Sequence, residues 1–298
     1  MSVSPGKEIW TVARLLQWTR QYFEQRQVEA PRLCAELLLA HALGCERIEL
    51  YTRYESVPVE ERLAIFREAV REAAAGRPIA YLTGERDFFS LAFEVTPDVM
   101  IPRPETEVLV ERVIHLARHG DATPRSILDL CTGSGCIAVS LAKNLPDATV
   151  CASDVSEAAL AVARRNAARH GVVERIDFRF GDLLEPWASE PAFDVIVCNP
   201  PYIALRDKAD LPPNVREFEP ELALYGGEDG CDFLRRLAAE TPPCLAQNGH
   251  LLMEIGYDQS ASARNILEEA GWRDIVAYRD GLGHQRVMHG RPGNDRPA

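Results

Sequence analysis

Apolar residues recur at helical spacing through the opening stretch of the chain. Ile9, Val12, Leu15, Leu16, Tyr22 and Phe23 fall on one face of a segment from about 8 to 28, which predicts an amphipathic helix. Pro31 opens a second helix. Its apolar run, from Leu33 to Leu43, stops at Gly44, with proline first and glycine last as helices prefer. A short segment at 48–51 and a helix at 59–75, closed by Gly76 and Pro78, complete a helical bundle over residues 1–80.

Between residues 81 and 95 the spacing shortens to that of strands, with Phe88, Phe89, Leu91, Phe93 and Val95, so a β-hairpin linker is expected over 81–98. A helix follows from Pro104 to about 119, with Glu105 and Glu107 in its first turn. Beyond it, strands at 126–130, 149–153, 176–180, 193–198 and 250–255 alternate with helices at 135–144, 156–170, 231–240 and 258–270. Such alternation predicts an α/β domain built on a doubly wound sheet over 99–290. Its last two strands, 274–279 and 284–289, are joined by four residues, Asp280 to Gly283, too few for a crossover helix, so they must run antiparallel. A disordered tail is expected over 291–298.

Composition agrees with two folded domains: 298 residues, 46% hydrophobic and 26% charged. The net charge of -12 is unevenly placed. Residues 1–80 carry eleven basic and eleven acidic side chains, so the excess lies entirely after them. An acidic surface opposes sequence-independent binding to a nucleic-acid backbone. Eight cysteines, none in a C-x-x-C pair, read as reduced thiols rather than a metal site. The absence of a signal-peptide pattern and of a ~20-residue apolar run leads to the expectation of a cytoplasmic protein with no membrane contact.

Ligands in open α/β sheets bind at the carboxyl ends of strands. One such end reads Asp129-Leu130-Cys131-Thr132-Gly133-Ser134-Gly135, a strand-to-helix turn whose glycines admit a close ligand. Asp154 follows the next strand, where a carboxylate can receive both hydroxyls of a ribose. Gly181-Asp182-Leu183 closes the third, placing Asp182 at an adenine edge and Leu183 against its ring. These residues describe a nucleoside pocket. The turn also fits the dinucleotide pattern G-x-G-x-x-A, so it leaves NAD and S-adenosylmethionine both open.

The fourth strand ends in Asn199-Pro200-Pro201-Tyr202. Two prolines fix their own φ angles and extend the residues before them, so the loop is stiff. The Asn199 side-chain oxygen and the Pro200 carbonyl make a pair of acceptors for a ligand NH2 group, with Tyr202 as a ring wall. Two acceptors gripping both hydrogens favour a pyramidal nitrogen and stabilise positive charge as it develops there. The loop thus points to methyl transfer onto a planar amide or amine, with Asn199, Pro200 and Tyr202 as the catalytic candidates and Pro201 as a further substrate contact.

With these motifs in place, the chain resembles the peptide chain release factor N5-glutamine methyltransferases. The resemblance rests on Asn199 to Ile203 and on three further runs: Ala80-Tyr81-Leu82-Thr83-Gly84-Glu85, Ile101-Pro102-Arg103-Pro104-Glu105-Thr106-Glu107, and Phe218-Glu219-Pro220-Glu221-Leu222-Ala223-Leu224 leading into Gly226-Gly227-Glu228-Asp229-Gly230. It implies a Rossmann-like, seven-stranded class I methyltransferase sheet with an N-terminal helical docking domain. It also implies S-adenosylmethionine as methyl donor, with S-adenosylhomocysteine as product, and the glutamine of the Gly-Gly-Gln motif of bacterial class 1 release factors as substrate. By position, Cys131 to Gly135, Asp154, Leu183 and Asn199 would hold the donor. Cys131 departs from the glycine common there, and Leu183 from the aromatic ring of some members. Monomeric action on protein, not on nucleic acid, is expected, and Arg103, Glu105 and His284 receive no role. Three alternatives share parts of the pattern: a ribosomal-protein glutamine methyltransferase, a DNA adenine-N6 methyltransferase and a non-catalytic release-factor-binding protein.

Overall fold

The helical spacing of the opening stretch is realised as α1 (Val12–Glu24), α2 (Pro31–Leu43), α3 (Glu60–Ala74) and α4 (Ile79–Thr83) in a computed structural model that describes residues 9–119 and 124–293. Thr11 caps α1 by accepting the Arg14 N–H at 3.3 Å, and Gly44 ends α2 at φ 64°. Val12, Phe23, Leu38, Leu39 and Leu50 are wholly buried between these helices. The short α4 stands where strand spacing was expected to begin at Tyr81. Pro78 starts it and Gly84, at φ 74°, stops it. The helical unit therefore extends to Gly84, beyond the expected boundary at 80, and also includes Pro213–Phe218.

The second unit comprises Glu85–Pro212 and the chain from Glu219. The hairpin β1 (Glu85–Phe88) and β2 (Leu91–Glu94) belongs to it rather than forming a separate linker. Phe89 and Ser90 turn the hairpin with φ of 48° and 60°, the sign that matches strand twist in a two-residue turn. After it come α5 (Glu107–His119), β3 (Ser126–Leu130), α6 (Cys136–Asn144), β4 (Thr149–Asp154), α7 (Glu157–Arg169), β5 (Ile176–Phe180) and β6 (Phe193–Cys198). Of the rest, α8 (Pro213–Arg216) goes with the helical unit, while α9 (Asp232–Glu240), β7 (Leu245–Glu254), α10 (Ser260–Glu269), β8 (Trp272–Arg279) and β9 (Gln285–Pro292) complete the second.

The α/β reading holds. Seven strands form one sheet in the order β5-β4-β3-β6-β7-β9-β8, with β9 antiparallel to both neighbours. Alternation along β3 sends Ile127 and Asp129 to the face beneath α5–α7 and Leu128 and Leu130 to the face beneath α9 and α10. Strand β7 begins at Leu245, five residues before the strand expected at 250–255. Residues 246–249 are absorbed where its register against β6 shifts, and their polar and glycine character hides them from strand periodicity. Strand β9 runs through Pro292, which pairs with Trp272, so ordered chain continues past the expected tail boundary at 291. Residues 294–298 of that tail lie outside the described residues. All eight cysteines are unpaired, and among the described residues no helix is long and apolar enough to cross a membrane.

Candidate active site

Strand order reverses at β3, whose neighbours are β4 on one side and β6 on the other. The carboxyl ends of these strands flank the crevice where such sheets place ligands. A cavity of about 340 Å³ opens there, walled by Cys131, Thr132, Gly133 and Ser134 from the turn after β3 and by Asp154 from β4. Asp182, Leu183, Asn199 and Pro201 complete the part of the wall foreseen from the sequence.

The turn is held from within. The Thr132 N–H donates to Ser153 O at 3.0 Å, the Gly133 N–H to Asp154 Oδ2 at 2.8 Å, and the Gly135 N–H to Thr132 O at 2.8 Å. A pyrophosphate would need such donors free. Among the described residues, the only basic side chain on the wall is Arg236, which is held by Asp182 at 3.0 Å and Glu240 at 2.9 Å. The paired turn N–H groups and the paired Arg236 thus offer little to a pyrophosphate. Cys131 occupies the turn at φ 58°, a region costly for any residue with a Cβ by roughly 1–2 kcal/mol.

Two expected cofactor contacts are placed elsewhere. Asp129 is fully buried under the turn and does not line the cavity. Its Oδ2 accepts the Thr132 hydroxyl at 2.6 Å and the Ala138 N–H at 3.1 Å, while Oδ1 has no partner. Burial pushes this carboxyl up to about 7. Gly135 is also off the wall. A Cβ there would lie 3.0 Å from Ala163 Cβ, so its smallness serves the close packing of α6 on α7. Asp154 does face the cavity. Its Oδ1 takes the Ser156 N–H at 2.9 Å, and burial raises its pKa. Each oxygen keeps a lone pair for a ribose hydroxyl.

The loop after β6 is clamped by glycines. A Cβ on Gly226 would stand 2.5 Å from Pro201 O, and one on Gly230 would overlap Tyr202 O. Gln259 locks the arrangement, donating from Nε2 to Tyr202 O at 2.9 Å and Gly230 O at 3.1 Å while Oε1 accepts the Gly256 N–H at 2.8 Å. The run from Gly226 to Gly230 thus exists to let two loops touch along their backbones. Asn199 and Pro201 reach the cavity wall; Pro200 and Tyr202 do not, and the Tyr202 hydroxyl instead donates to Glu254 Oε1 at 3.2 Å. Asn199 donates from Nδ2 to Thr106 Oγ1 at 3.2 Å, which leaves its Oδ1 as the acceptor for a ligand.

Sequence reasoning missed three contributors. Thr106 lies in the Pro104–Glu107 run, and its buried hydroxyl is a natural partner for a catalytic amide. Glu254 is a lone acid ending the apolar run of β7, and that was its signal; it is buried and pushed up to about 7. Phe233 of α9 lines the same cavity as Leu183, but nothing in an amphipathic helix marks it out. Of the residues left without a role, Arg103 pairs with buried Glu219, and His284 sits in the turn before β9 with its ring edge-on to Tyr257.

Comparison with known proteins agrees with this geometry. Residues 14–84 match the model of the PrmC N-terminal domain, and residues 105–211 that of the methyltransferase small domain. The release factor glutamine methyltransferase of Rhodopirellula baltica is 42% identical over 282 residues, covering 94% of this chain and 95% of its own. That of Geobacter sulfurreducens is 43% identical over 286 residues, covering 96% and 98%. In fold, a methyltransferase from Pyrococcus furiosus is similar with a TM-score of 0.51 at 20% identity, covering 79% of this chain and 100% of that one. The chain belongs to the release factor glutamine methyltransferase family and carries its α/β methyltransferase fold.

Proposed function

We propose that the protein methylates the side-chain nitrogen of the glutamine in the Gly-Gly-Gln motif of class 1 release factors. The observation that carries this reading is Asn199 at the wall of the cavity at the carboxyl ends of β3, β4 and β6, with Nδ2 committed to Thr106 and Oδ1 left to accept. S-adenosylmethionine would supply an electrophilic methyl group when bound. Cys131 to Ser134, Asp154, Asp182, Leu183 and Phe233 would hold it, with Asp154 on the ribose and Phe233 and Leu183 on the base.

The substrate amide is a poor nucleophile because its lone pair is shared with the carbonyl, a resonance that gives amides a rotation barrier of ~18–20 kcal/mol. Asn199 Oδ1 takes one amide hydrogen; the Pro200 carbonyl of the same stiff loop, off the cavity wall in this structure, would take the second once substrate is seated against the loop. Holding both hydrogens loosens the resonance and turns the lone pair toward the cavity. The positive charge that develops on nitrogen strengthens both hydrogen bonds, so they stabilise the transition state more than the ground state. The product nitrogen then sheds a proton without a tuned base.

The acidic balance of the larger unit supports a protein substrate over DNA, and the near-neutral helical unit is the proposed docking surface for the release factor. Such a substrate would place the enzyme, working as a monomer, in the cytoplasm. Peptide mass spectrometry after incubation with a release factor and labelled methyl donor tests the assignment. Label on the Gly-Gly-Gln glutamine is expected; label on a ribosomal protein or on DNA would redirect it.

A further inference from the structure

Asn199 can serve as an acceptor only if its amide faces the cavity oxygen-first, and a cluster behind the loop decides which way it faces. Thr106 and Glu254 are each 1% exposed. The Thr106 hydroxyl receives Asn199 Nδ2 at 3.2 Å and is close enough to the Glu254 carboxylate to favour its charged form. Glu254 Oε1 already receives the Tyr202 hydroxyl at 3.2 Å, while Oε2 is buried without an aligned donor among the described residues. A hydroxyl has one proton. A carboxylate can only accept and Oε2 is its open acceptor, so a Thr106 hydroxyl with its proton turned toward Glu254 keeps its lone pair for Asn199 Nδ2 and leaves Asn199 Oδ1 for substrate.

We propose that Glu254 and Thr106 are positioning residues that set the polarity of Asn199, and that methyl transfer requires Glu254 in its carboxylate form. This rests on the function proposed above. Once Glu254 is protonated it becomes a donor to Thr106. The Thr106 proton is then free to turn toward Asn199, where it pairs with Oδ1 and swings Nδ2 into the cavity. Two N–H groups then meet the two N–H groups of the substrate amide, and the grip is lost.

The group titrates in an accessible range, because burial pushes Glu254 up to about 7 against the pull of Thr106, Tyr202 and Arg286. The charged and titratable neighbours that face it are Tyr202 from the loop after β6, Arg286 of β9, Glu105 ahead of α5 and Cys136 of α6. The glutamine amide itself does not titrate there.

The test is kcat on a full-length release factor at saturating methyl donor, between about pH 5.5 and 8.5, for the wild type, E254Q, T106V and T106S, with D129N as control for the other buried carboxyl. In the wild type, kcat should fall tenfold per pH unit on an acid limb centred near 7. E254Q should lose that limb. T106V should lose it too, and should lower kcat at pH 8 by ~10–100-fold while the calorimetric Kd for the methyl donor stays within a few-fold. T106S should restore both rate and limb, and D129N should keep the limb. A wild type without an acid limb, or an unchanged limb in E254Q or T106V, would overturn the proposal. A wild type that methylates no glutamine at any pH fails the functional assignment instead.

Discussion

Replacing Asp129 by Asn separates a ligand contact from a buried support of the glycine turn. The side chain is 0% exposed and pushed up to about 7, compared with 3.8 for an unperturbed Asp. Because the folded value is above the unfolded one, the native state binds the extra proton between these limits, and stability falls as pH rises through that window. About three pH units at about 1.4 kcal/mol each give an ionisation cost of ~4 kcal/mol, present above pH ~7 and absent below pH ~4. Asn removes this cost. It also puts an NH2 group where Oδ1 has no partner, a penalty of about 1–3 kcal/mol at every pH. In urea unfolding, D129N should therefore be less stable than the wild type by about 1–3 kcal/mol near pH 4 and more stable by a similar amount at pH 8. A stability difference independent of pH would refute the buried, proton-retaining Asp129. At pH 8 the calorimetric Kd for S-adenosylmethionine should stay within a few-fold, and a rise of more than about 30-fold, or ~2 kcal/mol, would return Asp129 to the ligand.

Other perturbations address other parts of the wall. Asp154→Ala removes the acceptor of the Gly133 and Ser156 N–H groups together with the ribose contact, and should weaken S-adenosylmethionine by at least ~10-fold in calorimetry; measurable NAD binding would contradict the assigned donor. Phe233→Ala should raise the donor Kd by ~5–30-fold if its ring stacks on the base, with kcat at saturation unchanged. Gly230→Ala sets a Cβ against Tyr202 O at φ 76°, which should shift the loop and lower kcat by ~10–100-fold while donor affinity holds; equal loss of both would mean the glycine supports the fold rather than the loop.

The architecture was legible because it follows from periodicity. Alternating strand and helix patterns gave the order of the sheet's elements, and the four residues between the last strands required their antiparallel pairing. Register shifts were not legible. Residues 245–249 join β7 only because β6 tolerates a bulge there, and Tyr81 joins a helix only because Pro78 and Gly84 bracket five residues. The site was legible in its outward half. Asp154, Leu183 and Asn199 stand at strand ends, where backbone direction alone aims them at the cavity. The inward half depends on which face of a strand each side chain takes and on what lies across from it. Asp129 therefore looked like a ligand contact although it points under α6, and Thr106 and Glu254 received no role although both are buried behind Asn199 and Tyr202.

The central claim is that the Asn199 oxygen carries the transfer step, and one paired measurement bears on it most directly: single-turnover methylation of the release-factor glutamine by Asn199→Ala beside its calorimetric affinity for S-adenosylmethionine. The expected result is donor affinity within a few-fold of the parent and a rate lower by ~10²–10³, the effect of removing one transition-state hydrogen-bond partner. An undiminished rate would contradict the account.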